Sequence, residues 1–351
     1  MFKFTALAKN VFLSNIKEMQ FPYRLTYILT YKCNLKCQMC TIWQKKADEL
    51  SLAQIEKFFK ASNKFSWINL SGGEIFLRDD FLDIIRVMYD ECKSLYLLDF
   101  PTNGFLSKTI VSSVERIMRD FPIPKILVTV SLDGPKDVHD RLRGVPGSWE
   151  RALETFQGLR KFRSRRFGVF LGMTLQEHNF DRFEDTFREV SGRIEDVRYD
   201  DFHFNLVQYS PHYYSNTDVT SQLDFQKLWV KLNAIAKSRA HNPLSPVSFL
   251  EKRYHALAKT YLDSKKTPLP CQALCASFYM APNGDVYPCS IYDKRLGNIA
   301  DFDYDIYKLW KSAFRKTLRK EIKEGRCPHC WTPCEAYQAI LANLLPMPKR
   351  K

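Results

Sequence analysis

The chain has 351 residues, 45% hydrophobic and 14% aromatic, with 53 Lys and Arg against 39 Asp and Glu for a formal net charge of +14. That composition suits one large packed domain, or a large one with a small companion, and excludes a disordered or fibrous chain. No apolar run approaches the roughly 18 residues of a membrane span, and the N-terminus lacks an apolar stretch followed by a small-residue cleavage site, so a cytoplasmic, reducing setting is expected. There, ten cysteines point to metal or redox chemistry rather than disulfides.

Residues 1–20 place Phe2, Phe4, Leu7, Val11, Phe12 and Ile16 at helical spacing. This predicts a helix that covers one end of the fold, with membrane-surface binding as the weaker reading. Tyr23 to Thr30 reads as a strand running into TYKCNLKCQMCTIW, which holds Cys33, Cys37 and Cys40 as C-x3-C-x2-C. Ser51 to Gln54 is a capping-box pattern opening a helix through Phe59. Strands are then predicted at Trp67–Ser71, Leu95–Phe100, Ile126–Leu132, Gly168–Leu175 and Asp201–Val207. Helices are predicted between them at Asp79–Cys92, Lys108–Arg119, Trp149–Phe162 and Phe180–Val190.

Six strand–helix alternations with short links predict an α/β fold with a parallel sheet, and in a barrel the chemistry sits at the C-terminal strand ends. Those ends carry the cysteine loop, Ser71-Gly72-Gly73-Glu74, Pro101-Thr102-Asn103-Gly104 and Ser131-Leu132-Asp133-Gly134. Beyond Val207 the alternation stops. Helical patterns cover about 221–240 and 248–262, Lys265 to Pro270 reads as a linker, and Asn283-Gly284 marks a hairpin between Phe278–Pro282 and Val286–Cys289. Cys271, Cys275, Cys289, Cys327, Cys330 and Cys334 form a second cysteine-rich region.

Three soft ligands in eight residues leave a cubane iron–sulfur cluster one ligand short, whereas zinc wants four protein ligands and finds no fourth Cys or His nearby. The three-cysteine loop, the Gly-Gly-Glu turn and the Thr-Asn-Gly turn, in this order on successive strand ends, resemble the radical S-adenosylmethionine (SAM) superfamily over about residues 20–210. Met39 stands where an aromatic residue is frequent before the third cysteine, and Ile75 where proline usually follows the Glu.

The resemblance implies a partial (β/α)6 TIM-type barrel in which Cys33, Cys37 and Cys40 hold a [4Fe–4S] cluster whose open iron is chelated by SAM. It implies that Met39 lies beside the adenine and that Gly72, Gly73 and Glu74 receive the SAM amino group. Asn103, in the Thr-Asn-Gly turn, would help position SAM, Ser131 and Asp133 would contact its ribose or methionyl part, and Arg143 would lie near the carboxylate. It also implies an external electron donor of flavodoxin or ferredoxin type. C-x12-G-x4-C from Cys271 to Cys289, closed by C-x2-C, resembles a SPASM/Twitch auxiliary-cluster domain. One further cluster is expected on Cys271, Cys289, Cys327 and Cys330, with Cys334 or Cys275 as a substitute ligand and zinc as the alternative metal.

The expected division is an N-terminal helical segment 1–20, a radical SAM core 21–240, a helical linker 241–270 and an auxiliary-cluster domain 271–351. The substrate is expected to be an anionic small molecule of sugar or nucleotide type, with a peptide or a lipid as alternatives. A non-catalytic iron–sulfur or zinc scaffold is the reading of another class. RKFRSRRF (160–167) and the tail MPKRK are the densest basic runs, and neither is interleaved with aromatics, so no nucleic-acid partner is expected. His203, His212, Tyr213 and Tyr214 lie at and after the sixth strand. His203 reads as a satisfied sheet histidine, whereas the HYYSN stretch, Trp43, Gln44 and Trp149 are candidates to line a pocket.

Overall fold

A computed structural model of the chain describes residues 2–219, 223–240 and 245–344. The basic tail and the first residues of the 221–240 helical pattern lie outside them. Six strands run in parallel in the order of the chain: β1 (Arg24–Ile28), β2 (Trp67–Ser71), β3 (Leu97–Thr102), β4 (Lys125–Ser131), β5 (Phe167–Leu175) and β6 (Phe202–Leu206). Helices α1 (Phe2–Ile16), α2 (Leu52–Ala61), α3 (Phe81–Glu91), α4 (Ser107–Asp120), α5 (Lys136–Arg143), α6 (Ser148–Arg160) and α7 (Phe183–Ser191) precede and link them.

Local chemistry explains the boundaries. Ser51 accepts from the Gln54 backbone N–H while Gln54 reaches back to the Ser51 N–H, so the capping box that opens α2 is formed as the sequence predicts. β4 alternates half-buried and buried residues. Its Ile126, Val128 and Val130 pack in the main core with Val114 and Ile117 of α4 and Phe156 of α6, leaving Leu127, Thr129 and Ser131 on the other face. β6 repeats the device, with Phe202, Phe204 and Leu206 in the core and His203 and Asn205 opposite.

The sheet does not close on itself. β1 pairs with β2 on one side and, on the other, with β7 (Ser277–Met280), which comes from the cysteine-rich region. β8 (Asp285–Tyr287) and β9 (Gly297–Asn298) then add antiparallel, so the Asn283-Gly284 hairpin is present and the sheet counts nine strands. The strands of the cysteine-rich region therefore extend the barrel's own sheet past residue 270. Between β6 and β7 run α8 (Phe225–Ser238) and α9 (Pro246–Ser264). After β9 come α10 (Ile306–Trp310), α11 (Ala313–Lys323) and α12 (Pro333–Ala342). α9 is pinned near the last cysteines: Tyr254 Oη donates to the Trp331 carbonyl, Trp331 Nε1 donates to the Tyr254 carbonyl, and the two rings stack. No helix among the described residues is long and apolar enough to cross a membrane.

Candidate functional site

The cysteine loop follows β1 directly and is held from three sides. Below it, the Gly73 N–H donates to the Thr30 carbonyl and the Glu74 N–H to the Lys32 carbonyl, both at 2.8 Å. A Cβ on Gly73 would stand 2.1 Å from the Lys32 oxygen, and one on Gly72 2.6 Å from that of Thr30. The glycines therefore admit the loop's own backbone, a close approach that any side chain would block.

The second support is α5, which sequence periodicity missed. The Lys36 N–H donates to the Arg143 carbonyl and the Gln38 N–H to the Leu142 carbonyl, so the residues flanking Cys37 satisfy the last carbonyls of that helix. Gly144 ends the helix in the left-handed region (φ +71°), and a Cβ there would meet the Lys36 oxygen at 2.4 Å.

The third support is residues 208–216, which end in the HYYSN stretch at 212–216. The Thr41 N–H donates to the Tyr214 carbonyl, Thr41 Oγ1 to the Ser215 carbonyl and Lys45 Nζ to the His212 carbonyl. Asn216 Nδ2 donates to the Met39 carbonyl at 2.9 Å, and the Tyr213 hydroxyl lies 2.7 Å from that of Ser71.

Around the cysteines stand the strand-end residues. Arg143 Nη1 lies 3.7 Å from Cys37 Sγ, and its Nη2 is 2.6 Å from the fully buried Asp133 carboxylate. Asn103 Nδ2 lies 3.9 Å from Cys33 Sγ and donates to Asn34 Oδ1, while its backbone N–H donates to Glu74. Glu74 is fully buried and also accepts from Thr102 Oγ1; burial pushes its carboxyl up to about 7. Met39 packs with Leu35, Cys37 and Phe105. Burial raises the Cys33 thiol to about 11 and that of Cys40 to about 12, so a positive partner is needed to hold them as thiolates.

Several sequence expectations shift here. Asp133 spends its carboxylate on Arg143 and on the Thr174 N–H, which makes it a support for Arg143. Ser131 sits half-buried at the end of β4. Trp149 is buried in the core under α6 and leaves the pocket candidates; Trp43 and Gln44 form a 3₁₀ turn just after the cysteines. His203 stacks on Phe170 with ring centroids 3.9 Å apart, and its Nε2 has no hydrogen-bond partner among the described residues, so the expected satisfied sheet histidine is only partly found.

The site fits a ligand with amino and carboxylate groups at the cysteines. Glu74 is a buried carboxylate without an ion pair at contact, and two buried donors, Asn34 Nδ2 and Arg143 Nε, lack protein partners. Among the described residues no three Cys, His, Asp or Glu side chains gather around one point as a single metal ion requires. Each thiolate of a cubane meets a different iron, which this looser grouping allows.

Cys271, Cys289, Cys327 and Cys330 share the packing of the main core. The Ala273 N–H points at Cys271 Sγ (3.4 Å) and the Tyr292 N–H at Cys289 Sγ (3.3 Å), hydrogen bonds of the kind that tune cluster sulfurs. Left-handed backbone at His329 (φ +57°) turns the chain between Cys327 and Cys330. Cys334 stands apart at the start of α12, its thiol 4.0 Å from Asn69 Oδ1 of β2 and close to Arg24. Cys275 packs with Met19 and Tyr23.

His212 links the two cysteine groups. Its Nε2 lies 3.0 Å from the Cys289 carbonyl, and its ring stacks on Tyr287 at 4.4 Å. A carbonyl only accepts, so Nε2 carries the proton; burial lowers the ring to about 4 and keeps it neutral. His212→Phe retains the stacked ring but leaves the buried carbonyl unpaired. A loss of about 1–3 kcal/mol is expected, measured by denaturant unfolding of the anaerobic holoprotein. A cavity of about 830 Å³ at the opposite edge of β1, lined by Phe21, Tyr307 and Trp310, takes no part in this site.

Comparison with known proteins agrees with this geometry. The radical SAM superfamily profile matches residues 27–190, and an iron–sulfur cluster-binding domain, SPASM, matches residues 271–331. The chain is 24% identical over 337 residues to the antilisterial bacteriocin subtilosin biosynthesis protein AlbA of Bacillus subtilis, covering 90% of this chain and 67% of that one. It is 26% identical over 326 residues to the AdoMet-dependent heme synthase of Methanosarcina barkeri, covering 88% of each. Streptococcus suis SuiB bound to S-adenosylmethionine shares the fold, with a TM-score of 0.60 at 14% identity over 86% of this chain and 68% of that one. The family's proteins are enzymes that activate C–H bonds, with [4Fe–4S] clusters and SAM as cofactors. The chain therefore carries a radical SAM domain over residues 27–190 and, over residues 271–331, a SPASM domain whose strands continue the barrel sheet.

Proposed function

We propose that the chain modifies a peptide at a C–H bond. The observation that carries the C–H chemistry is the pair of cysteine groups joined through residues 208–216, with Arg143, Asn103 and Glu74 around the first. Cys33, Cys37 and Cys40 hold the catalytic cluster, and Cys271, Cys289, Cys327 and Cys330 the auxiliary one. The cluster held by these cysteines would, with SAM, supply radical abstraction of a hydrogen atom from the substrate. Arg143 would hold the SAM carboxylate and Glu74 its ammonium. Asn34 and Asn103, beside Cys33, would help orient that ligand, and residues 208–216 brace the cysteine loop.

The subtilosin biosynthesis relative supports a peptide substrate. A small-molecule substrate is the second reading, favoured by the heme synthase relative, which aligns over 88% of both chains.

Anaerobic reconstitution with SAM and dithionite is expected to yield 5′-deoxyadenosine. The Cys33/Cys37/Cys40→Ala variant is expected to yield none while keeping the iron of the C-terminal group. No product from the wild type would overturn the activity, and an iron-free variant would overturn the auxiliary cluster.

A further inference from the structure

Beside the cysteine loop lies a cavity of about 510 Å³ whose lining includes Tyr31, Lys32, Lys45, Lys46, Asp48 and Glu49. It opens at the C-terminal end of β1, and Lys32 immediately precedes Cys33. Its inner wall, Tyr31, packs in one cluster with Cys40 and Tyr213, so the cavity borders the reacting edge of the barrel.

The charges here are unbalanced. Glu49 is already engaged, accepting from Thr30 Oγ1 at 2.5 Å and lying 3.5 Å from Arg78. Asp48 is the other carboxylate of the lining. Against it stand three ammonium groups, none of which forms an ion pair among the described residues. Lys45 is held in place: its ammonium sits 4.6 Å over the Tyr31 ring and donates to the His212 carbonyl. Lys32 and Lys46 are exposed at the rim. Many other basic side chains of this chain are matched locally, as Arg78 is by Asp80 and Arg143 by Asp133. Exposed cations such as Lys32 and Lys46, with no ion pair among the described residues at the mouth of an active site, attract an anionic ligand and orient its approach.

We propose that this cavity is a substrate subsite that binds the carboxylates of an acidic peptide segment, a reading that rests on the peptide function above. The subsite holds a segment outside the reacting centre and thereby fixes which C–H bond is presented at the cysteine loop. Free carboxylate metabolites offer the same chemistry, and the test separates them.

The reconstituted holoprotein is titrated at low salt with fluorescein-labelled hexaglutamate, with hexaglutamine as the uncharged control and citrate as the small-anion arm. Hexaglutamate is expected to bind at least about tenfold more tightly than hexaglutamine. Lys32→Gln with Lys46→Gln is expected to weaken it by about tenfold, since two exposed charge contacts are lost. Lys46→Arg, which keeps the charge, is expected to bind as the wild type does. Equal binding of the glutamine control, an unaffected double variant, or binding of citrate without hexaglutamate overturns the subsite. 5′-Deoxyadenosine is assayed in the same samples. Peptide binding without that product overturns the radical activity and not the subsite; the product without peptide binding overturns the subsite alone.

Discussion

Arg143→Leu is expected to lower the stability of the chain by about 3–5 kcal/mol and to empty the first cysteine group of iron. The guanidinium is the charge partner of Asp133, whose carboxylate has no exposed surface. Removing one member of a buried ion pair strands the other without water or counter-charge, and that penalty exceeds the loss of a surface contact several-fold. The same side chain lies 3.7 Å from Cys37 Sγ, so the variant also removes the cation nearest that thiol. Denaturant unfolding together with iron and sulfide counts checks both parts. Arg143→Lys is the informative companion: it keeps a charge for Asp133 but cannot span the carboxylate and Cys37 with two separate nitrogens. It is expected to recover most of the stability and less of the iron. Equal stability in Arg143→Leu and the wild type would show that the pair is not coupled to folding.

The second large effect is expected from Gly73→Ala. A methyl group at this position meets the Lys32 carbonyl oxygen at 2.1 Å, and the obstacle is backbone, which cannot rotate away as a side chain can. Relief requires the residue before Cys33 to move, which breaks the Glu74 N–H to Lys32 bond and spreads the cysteine loop. The packing strain is about 1–3 kcal/mol, and the larger consequence is a loss of the brown absorbance of the first cluster with the C-terminal one retained. Gly192→Ala is the control. Its new methyl meets nothing closer than 3.4 Å, and it is expected to match the wild type in both stability and iron. A Gly73→Ala protein with full iron content would refute the account of the Gly-Gly-Glu turn as a seat for the loop backbone.

Much of the barrel could be read from the sequence because its signals are local. Trp67–Ser71 is bounded by a glycine pair, Ser51 and Gln54 close a capping box within four residues, and Asn283-Gly284 sits between two apolar runs. α5 was not legible because Lys136–Arg143 is short and polar, with only Val138 and Leu142 spaced as a helical face. Its clearer signals were punctuation: Pro135 at the start and a left-handed Gly144 at the end. The pairing of β7 with β1 had no local signature, since it joins residues some 250 apart through backbone bonds that any sequence can make. The family resemblance set Asp133 beside the cofactor, and its pairing with Arg143, ten residues on, could not be read from residue type, since an acidic strand end looks the same in either setting. The role of residues 208–216 as a brace was hidden for a related reason: they act through carbonyls at His212, Tyr214 and Ser215, and carbonyls leave no mark in the residue type.

That the cysteine loop caps α5 has a consequence for the order of biosynthesis. Lys36 and Gln38 borrow the carbonyls of Arg143 and Leu142, which the ribosome adds about a hundred residues later. Until that helix has emerged, Cys33, Cys37 and Cys40 hang on a strand end with no seat. The brace at 208–216 and the β7 partner of β1 arrive later still. Iron delivered to a nascent chain would meet a floppy run of thiols open to oxidation and to stray metals. Stable seating of a cluster on these cysteines is therefore expected only once α5, residues 208–216 and β7 have been made. Expression conditions that slow the appearance of the C-terminal half, while oxygen is present, select for misassembled material.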